Sequence, residues 1–249
     1  MPRIKGGEVM RVQFRFKISE LPIGYRLGIL SIIKEMVRNG SNEYYQEIFE
    51  DKKSSPKPFA YSIYIQNISL YDQIITGDEL VVIVSSSSYE FMMNLLNGSR
   101  KKQEYKYKNY TFLLISKRML PTYHITHNCV TFQTKSPILI ESKNKKPVLS
   151  TDPNFEEEFQ YISSLLIKEL YHRQPFEPIQ ILQTSMKKQV IKEFLHQESD
   201  KPLYLTTNKG LIQLKGNPQD LQVIYDNGVS FRRSLGLGLL DVVEEVTGS

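Results

Sequence analysis

The change of hydrophobic period after residue 18 constrains the fold of this chain more than any other feature. From Met10 to Ile18, apolar residues (Met10, Val12, Phe14, Phe16, Ile18) alternate with polar ones (Arg11, Gln13, Arg15, Lys17). A period of two sends the two sets to opposite faces, so the segment is expected to be a strand with one buried face and one basic face. The stretch LPIGYRLGILSIIKEMVRNG then moves to spacings of three and four through Tyr25, Ile29, Ile32, Ile33 and Met36, with Pro22 and Gly24 at its start and Gly40 as its stop. Those spacings line one face of a helix. A half-buried strand feeding an amphipathic helix opens a split β-α-β unit.

The rest of the chain completes that unit and repeats it. A short helix is expected at Asn42–Asp51, before the turn-forming run Lys52–Pro58. Strands follow at Phe59–Ile65 and Glu79–Ser85, then a helix at Ser88–Leu96 ended by Asn97–Gly98, then a strand at Tyr110–Ser116. The second pass has a strand at Cys129–Ile140 and a helix at Asn154–Tyr171, which Asp152 or Asn154 can cap and whose Glu156, Glu157 and Glu158 suit the positive end of its dipole. Strands at Ile179–Glu193, Lys201–Thr207 and Gly210–Leu214, a helix at Pro218–Ile224 and a strand at Leu239–Val246 close it. The order is βαββαβ twice. The expected fold is therefore α+β, with two tandem ferredoxin-like (βαββαβ, RRM-like) domains over 10–121 and 122–249 after a flexible leader at 1–9, and a C-terminal glycine-rich loop at 227–239.

With 249 residues, 40% of them hydrophobic, such a chain can bury a core. No apolar run reaches the length of a membrane span, and the start lacks the apolar stretch of a secretory signal, so a cytoplasmic protein with no membrane partner is expected. The single cysteine, Cys129, excludes an internal disulfide. A net charge of +5 favours an anionic partner, though its distribution matters more than its total. Lys101–Lys108, interleaved with Tyr105 and Tyr107, reads as a solvated hairpin. Arg11, Arg15 and Lys17 share one face of the first strand and are candidate RNA contacts.

The segment Asn227–Leu239, NGVSFRRSLGLGL, sets Gly228, Gly236 and Gly238 around Ser230, Arg232, Arg233 and Ser234. Glycines let backbone approach a partner closely and aim amides at phosphate oxygens, while guanidinium and hydroxyl groups add directed donors. A dinucleotide-binding fingerprint is disfavoured, because the third glycine is absent and a strand follows, not a helix. His124-x-x-His127 with Cys129 suggests a metal, but positions three apart on a strand face opposite ways and no second cysteine exists, which argues against zinc. Hydrolase-triad and nucleotide-triphosphatase motifs are absent from the sequence.

GVSFRRSLGLGLLDVV resembles the C-terminal glycine-rich loop of the CRISPR-associated repeat-RNA endoribonucleases of the Cas six family, in the RAMP superfamily, which cut precursor CRISPR RNA within its repeats. LPIGYR, KPFAYSIYI and VTFQTKSPILI are similar as well, so the match spans nearly the whole chain. The resemblance implies a tandem ferredoxin-like fold and repeat RNA held between the halves with the loop against its backbone. No metal or other cofactor is implied. Effector-complex subunits and a second copy of the chain are open as further partners.

The reaction implied is attack by a ribose 2′-hydroxyl on the adjacent phosphate, giving a 2′,3′-cyclic phosphate and a 5′-hydroxyl. It needs a base, an acid and cations for the extra phosphate charge. Many members use a histidine just after the first helix, where this chain reads NEYYQEIFED with Gln46 at the expected place. All four histidines, His124, His127, His172 and His196, lie in the second half. Candidates near Gln46 are Tyr25, Lys34, Tyr44, Tyr45, Lys52 and Lys53, which can orient the 2′-hydroxyl or neutralise phosphate. Lysine and tyrosine are poor bases at their ordinary pKa values of about 10. The favoured expectation is a slow, metal-independent endoribonuclease. The alternatives are a protein that binds repeat RNA without cutting it, and a paired-domain structural subunit whose loop contacts protein.

Overall fold

The computed structural model describes residues 10–53, 55–194 and 202–246. The expected leader at 1–9, His196 and the expected strand start at Lys201 lie outside the described residues. The chain forms two compact units. Of the described residues, the first holds those up to Phe59, Ile63–Thr122, 193–194 and 202; the second holds Ala60–Ser62, Tyr123–Lys192 and 203–246.

In the first unit, β1 (Met10–Lys17) and β2 (Glu20–Pro22) lead into α1 (Arg26–Gly40). A single turn, α2 (Asn42–Tyr45), continues directly as a π-helix over Gln46–Asp51. Then come β3 (Ala60–Gln66), β4 (Ser69–Tyr71), β5 (Ile74–Thr76), β6 (Glu79–Ser86), α3 (Tyr89–Gly98), β7 (Glu104–Tyr107) and β8 (Tyr110–Leu120). The main sheet runs β3-β6-β1-β8-β7, and β1 pairs antiparallel with both β6 and β8. Without the edge strand β7 this is the ferredoxin-like order. The alternation of β1 does what its sequence requires: Val12, Phe14 and Phe16 are buried with Ile29, Ile32, Ile33 and Met36 of α1. α1 and α3 meet backbone to backbone, since a Cβ on Gly98 would lie 1.7 Å from Met36 O and one on Gly40 2.1 Å from Asn94 O.

β2, β4, β5 and β7 exceed the expected elements. The hairpin β4–β5 turns through Asp72 (φ 43°) and Gln73 (φ 66°), two left-handed residues in the manner of a tight two-residue turn. β7 is half of the hairpin expected at Lys101–Lys108, but Tyr105 and Tyr107 point inward and are core, Tyr105 meeting Phe16 edge-on at 6.2 Å.

The second unit contains β9 (Cys129–Thr134), α4 (Phe155–Tyr171), β10 (Gln180–Thr184), β11 (Lys187–Glu193), β12 (Leu203–Lys209), β13 (Leu211–Lys215), α5 (Pro218–Asn227) and β14 (Leu240–Val246). Its sheet runs β10-β13-β9-β14, the same permutation as in the first unit, while β11 and β12 form a separate ribbon. Each repeat thus carries one inserted ribbon between its second and third strands: β4–β5 in the first, β11–β12 in the second.

Three expectations change here. β9 stops at Thr134, because Pro137 has no N–H to continue the ladder, and beyond it Ile138 and Glu141 make isolated bridges, to Asn208 and Pro147. The strand expected over Ile179–Glu193 is two strands separated at Ser185–Met186. Neither expected cap holds α4: Asn154 makes no side-chain cap bond, and Asp152 Oδ2 accepts from Leu149 N at 2.8 Å instead. Among the described residues, no helix is long and apolar enough to cross a membrane.

Candidate nucleic-acid interface

The glycine-rich segment of the second unit is pinned from within. It leaves α5 at Gly228 (φ 70°), where a Cβ would lie 2.7 Å from both Ala60 Cβ and Gly238 O. Gly238 (φ 79°) is equally closed to a side chain, with Val229 O 2.4 Å from its would-be Cβ. Left-handed backbone in such confinement requires glycine. Between them, Val229 N donates to Gly238 O (2.9 Å), Phe231 N to Leu139 O (2.9 Å), Leu235 N to Arg232 O (2.8 Å), Gly236 N to Arg233 O (3.0 Å) and Gly238 N to Pro137 O (2.8 Å). Leu239 N donates to Ser136 Oγ at 2.9 Å, and Tyr61 OH donates to Ser234 O at 3.0 Å.

This pinning changes the roles expected of the side chains. Ser230 is buried, its Oγ accepting from Leu139 N at 2.8 Å. Arg233 is 6% exposed and its Nη1 donates to Asn227 O at 2.6 Å, at the carbonyl end of α5. Burial pulls the Arg233 pKa down to about 9, which leaves it charged at neutral pH. Arg233 is thus a cap of α5 and not an outward cation, and the amides of Val229, Phe231, Leu235, Gly236 and Gly238 donate to carbonyls of the protein itself. Arg232 is different. It sits in the left-handed region at φ 55°, which turns its exposed side chain outward, and it pairs loosely with Glu141 at 3.7 Å. Ser234 is half-buried, and Gly228, Gly236 and Gly238 are buried. The pair expected to face RNA becomes one guanidinium on a rigid mount. A charged residue name hides this difference; Glu141 and Tyr61, which help set it, carry no signal in the sequence.

In the first unit, the basic face of β1 is less open than its alternation suggests. Arg11 is 4% exposed, with Nε donating to Ser85 Oγ at 3.2 Å. Arg15 Nε donates to Glu79 Oε2 at 2.9 Å, and Lys17 is exposed. Register alone explains the Arg15 pairing, since Glu79 stands opposite the neighbouring Lys17 across β6.

The residues around Gln46 gather on α1, α2 and the π-helix, a rare conformation that is frequent at functional sites. Tyr25 is half-buried at the N-terminal cap of α1, with Arg26 Cζ 5.8 Å from its ring centroid. Lys34 Nζ lies 5.0 Å above the Phe49 ring and Arg38 Cζ 4.0 Å above the Tyr45 ring. Burial lowers the Lys34 pKa; Glu50 opposes the shift, and Lys53 and Arg38 add to it. Tyr44 and Tyr45 are core residues. Burial pushes Tyr44 up to about 12, and burial with the hydrogen bond to Glu50 (3.0 Å) also raises Tyr45. Gln46 is exposed, and Lys52 is exposed and paired with Glu47. Lys57, passed over in the sequence, reaches into the same group: its Nζ donates to Lys52 O and to Lys53 O, and burial followed by repulsion from Lys34 and Lys52 lowers its pKa.

Residues 119–242 match the family described as CRISPR associated protein Cas6, C-terminal. No significantly similar sequence is found among curated proteins. Among solved structures, the chain is similar to the product of a Cas6-related gene from Pyrococcus furiosus, with 20% identity and a TM-score of 0.80 over 96% of this chain and 100% of that one. A RAMP protein binding different RNA substrates matches with 19% identity and a TM-score of 0.78 over 94% and 100% of the two chains. A CRISPR associated protein Cas6 matches with 18% identity and a TM-score of 0.71 over 95% and 100%. These likenesses establish the fold, two tandem ferredoxin-like repeats. Residues 119–242, just under half of the chain, thus form a domain of the Cas6 C-terminal family.

Proposed function

We propose that this chain binds CRISPR repeat RNA and cuts it slowly, without a metal ion, by attack of a ribose 2′-hydroxyl. Arg232 carries the binding part of the reading: a cation held outward in a left-handed conformation by a loop that is bonded within itself and to Ser136–Leu139. A fixed guanidinium of this kind suits a phosphate oxygen, because little side-chain and loop freedom has to be given up on binding. The similar RAMP protein binds RNA substrates, which agrees with this reading.

In the cleavage step, O2′ forms a bond to phosphorus and the P–O5′ bond breaks. The 2′-hydroxyl proton goes to a base, and O5′ takes up a proton as it leaves. Gln46 exchanges no proton near neutral pH, and the raised pKa values of Tyr44 and Tyr45 hold them protonated. Lys34 is the group from the expected set whose shift runs toward the useful range, so we assign it the proton transfer. Lys52, Lys53 and Lys57 supply charge for the phosphate. A well-placed acid or base contributes about a hundredfold to ten-thousandfold, so a site lacking histidine runs slower by a factor of that order.

A second reading, binding without turnover, is favoured by the exposed and non-titrating Gln46. The two separate on one assay. Repeat RNA incubated with the protein in chelator yields a 2′,3′-cyclic end if it cuts, and a 2′-deoxy substitution at the cut abolishes the product. Cleavage of the deoxy RNA would refute the mechanism, and tight binding with no product over hours selects the second reading.

A further inference from the structure

We propose that the open face of the β11–β12 ribbon is a platform for unpaired RNA bases, with Tyr204 as the stacking side chain and Lys188 and Lys192 following the adjoining phosphates. The proposal rests on the RNA-binding reading and adds a contact surface to it. On β11, Ile191 and Glu193 are buried at 8% and 0% exposure, which by strand alternation sends Lys188, Val190 and Lys192 to the other face. On β12, Leu205 and Thr207 are buried, and Tyr204 and Thr206 take the opposite face. Thr207 Oγ1 donates to Gln189 O at 2.7 Å and ties the strands together. The open face is therefore a lysine, a valine and a lysine on one strand beside an exposed tyrosine on the other, with Tyr204 61% and Val190 49% exposed. Residues four apart on a strand stand about 13 Å apart, so the two lysines can reach separate phosphates of one strand while the tyrosine ring takes a base.

The first repeat supplies an internal contrast. Its ribbon, β4–β5, occupies the same place between the second and third strands and also exposes apolar side chains, Leu70 and Tyr71. From Pro58 to Ser99, however, the sequence holds no lysine, arginine or histidine, and Asp72 lies in the turn of that hairpin with Asp78 just beyond it. Those strands carry no counter-charge for phosphate of their own. In β11–β12, Lys188 and Lys192 share the open face with the tyrosine, and Glu193, the carboxylate of these two strands, is buried away from that face. Aromatic surface alone does not select RNA; aromatic surface interleaved with cations does.

The chain contains no tryptophan, so Tyr204→Trp creates a single reporter at the proposed stacking position. Binding of a fluorescein-labelled single-stranded repeat RNA to the full chain is followed by anisotropy, independently of tryptophan emission. We expect Tyr204→Trp to bind as the parent does, with its emission quenched as RNA saturates. Tyr204→Ala should weaken binding between about 5-fold and about 150-fold, the range of one stacked base. Lys188→Ala with Lys192→Ala should flatten the dependence of log affinity on log salt by about 1.4. If RNA saturates the chain and Arg232→Ala weakens it, yet Trp emission is unchanged and Tyr204→Ala binds as the parent, the platform is wrong while RNA binding stands. If the parent does not bind the RNA at all, the functional reading falls and the platform falls with it.

Discussion

Replacing Arg232 and Arg233 one at a time separates binding from folding in adjacent residues of the same type. Arg233 is 6% exposed and its guanidinium donates to Asn227 O at 2.6 Å. Removing a charge-assisted hydrogen bond from a buried carbonyl costs about 1.5–3 kcal/mol, and truncating the stem leaves a void. Arg233→Ala should therefore destabilise the second unit by about 2–4 kcal/mol, a fall in melting temperature of about 5–15 °C for a chain of this size. Among the described residues Arg232 makes one ion pair, at 3.7 Å, with its own side chain 35% exposed. Such a pair is worth about 0–1 kcal/mol, so Arg232→Ala should melt within about 3 °C of the parent. Its effect belongs in the RNA: a guanidinium that no longer neutralises one phosphate of a single strand flattens the salt dependence of log affinity by about 0.7. Thermal melting and RNA anisotropy at several salt concentrations, run on both variants, read these quantities directly. If Arg232→Ala loses heat stability while Arg233→Ala keeps it and loses the salt slope, the assignment of inner and outer arginines is refuted.

Gly98→Ala puts a methyl 1.7 Å from Met36 O and should drive α1 from α3 at a cost of about 1–3 kcal/mol or more, measured by denaturant unfolding; unchanged stability would contradict the close helix packing. Burial works against the charge of Glu245, but hydrogen bonds from Tyr123 OH and from Thr126 and His127 outweigh it and hold its pKa at about 2. Because the folded pKa is depressed, its stabilisation is present above the unfolded value of about 4.5 and fades as pH falls toward 2. Glu245→Gln should lower the melting temperature at pH 7 and lose that penalty near pH 2; a penalty constant across this window would count against it. If Lys34 is the base, the cleavage rate should climb with pH toward a midpoint below the ordinary lysine value, and Lys34→Ala should remove that climb while RNA affinity falls only modestly. A pH profile that survives Lys34→Ala assigns the proton transfer elsewhere.

The ferredoxin-like order was legible because each long element carries its own period. β1 alternates over eight residues, and α1 and α4 keep one apolar face over several turns. β2, β4 and β5 are three residues each, too short for any period to show, and they exist by pairing with one another. The break between β10 and β11 falls at Ser185–Met186, with no glycine or proline to mark it. The π-helix at Gln46–Asp51 looks like ordinary helix in sequence. At the candidate site, composition located the loop but not the direction of its side chains. Arg11 is buried against the hydroxyl of Ser85, far along the chain, and Arg233 against the carbonyl of Asn227, at the start of its own loop. Tyr44 and Tyr45 read as reachable phenols and are core, because the helix turn that carries them faces inward.

The most direct test of the central claim is the affinity of the intact chain for its repeat RNA against a shuffled RNA of the same length, measured at two salt concentrations. The repeat RNA should bind more tightly at both, with affinity falling as salt rises. Equal affinity for the two RNAs, or binding indifferent to salt, would contradict repeat-RNA recognition through phosphate contacts.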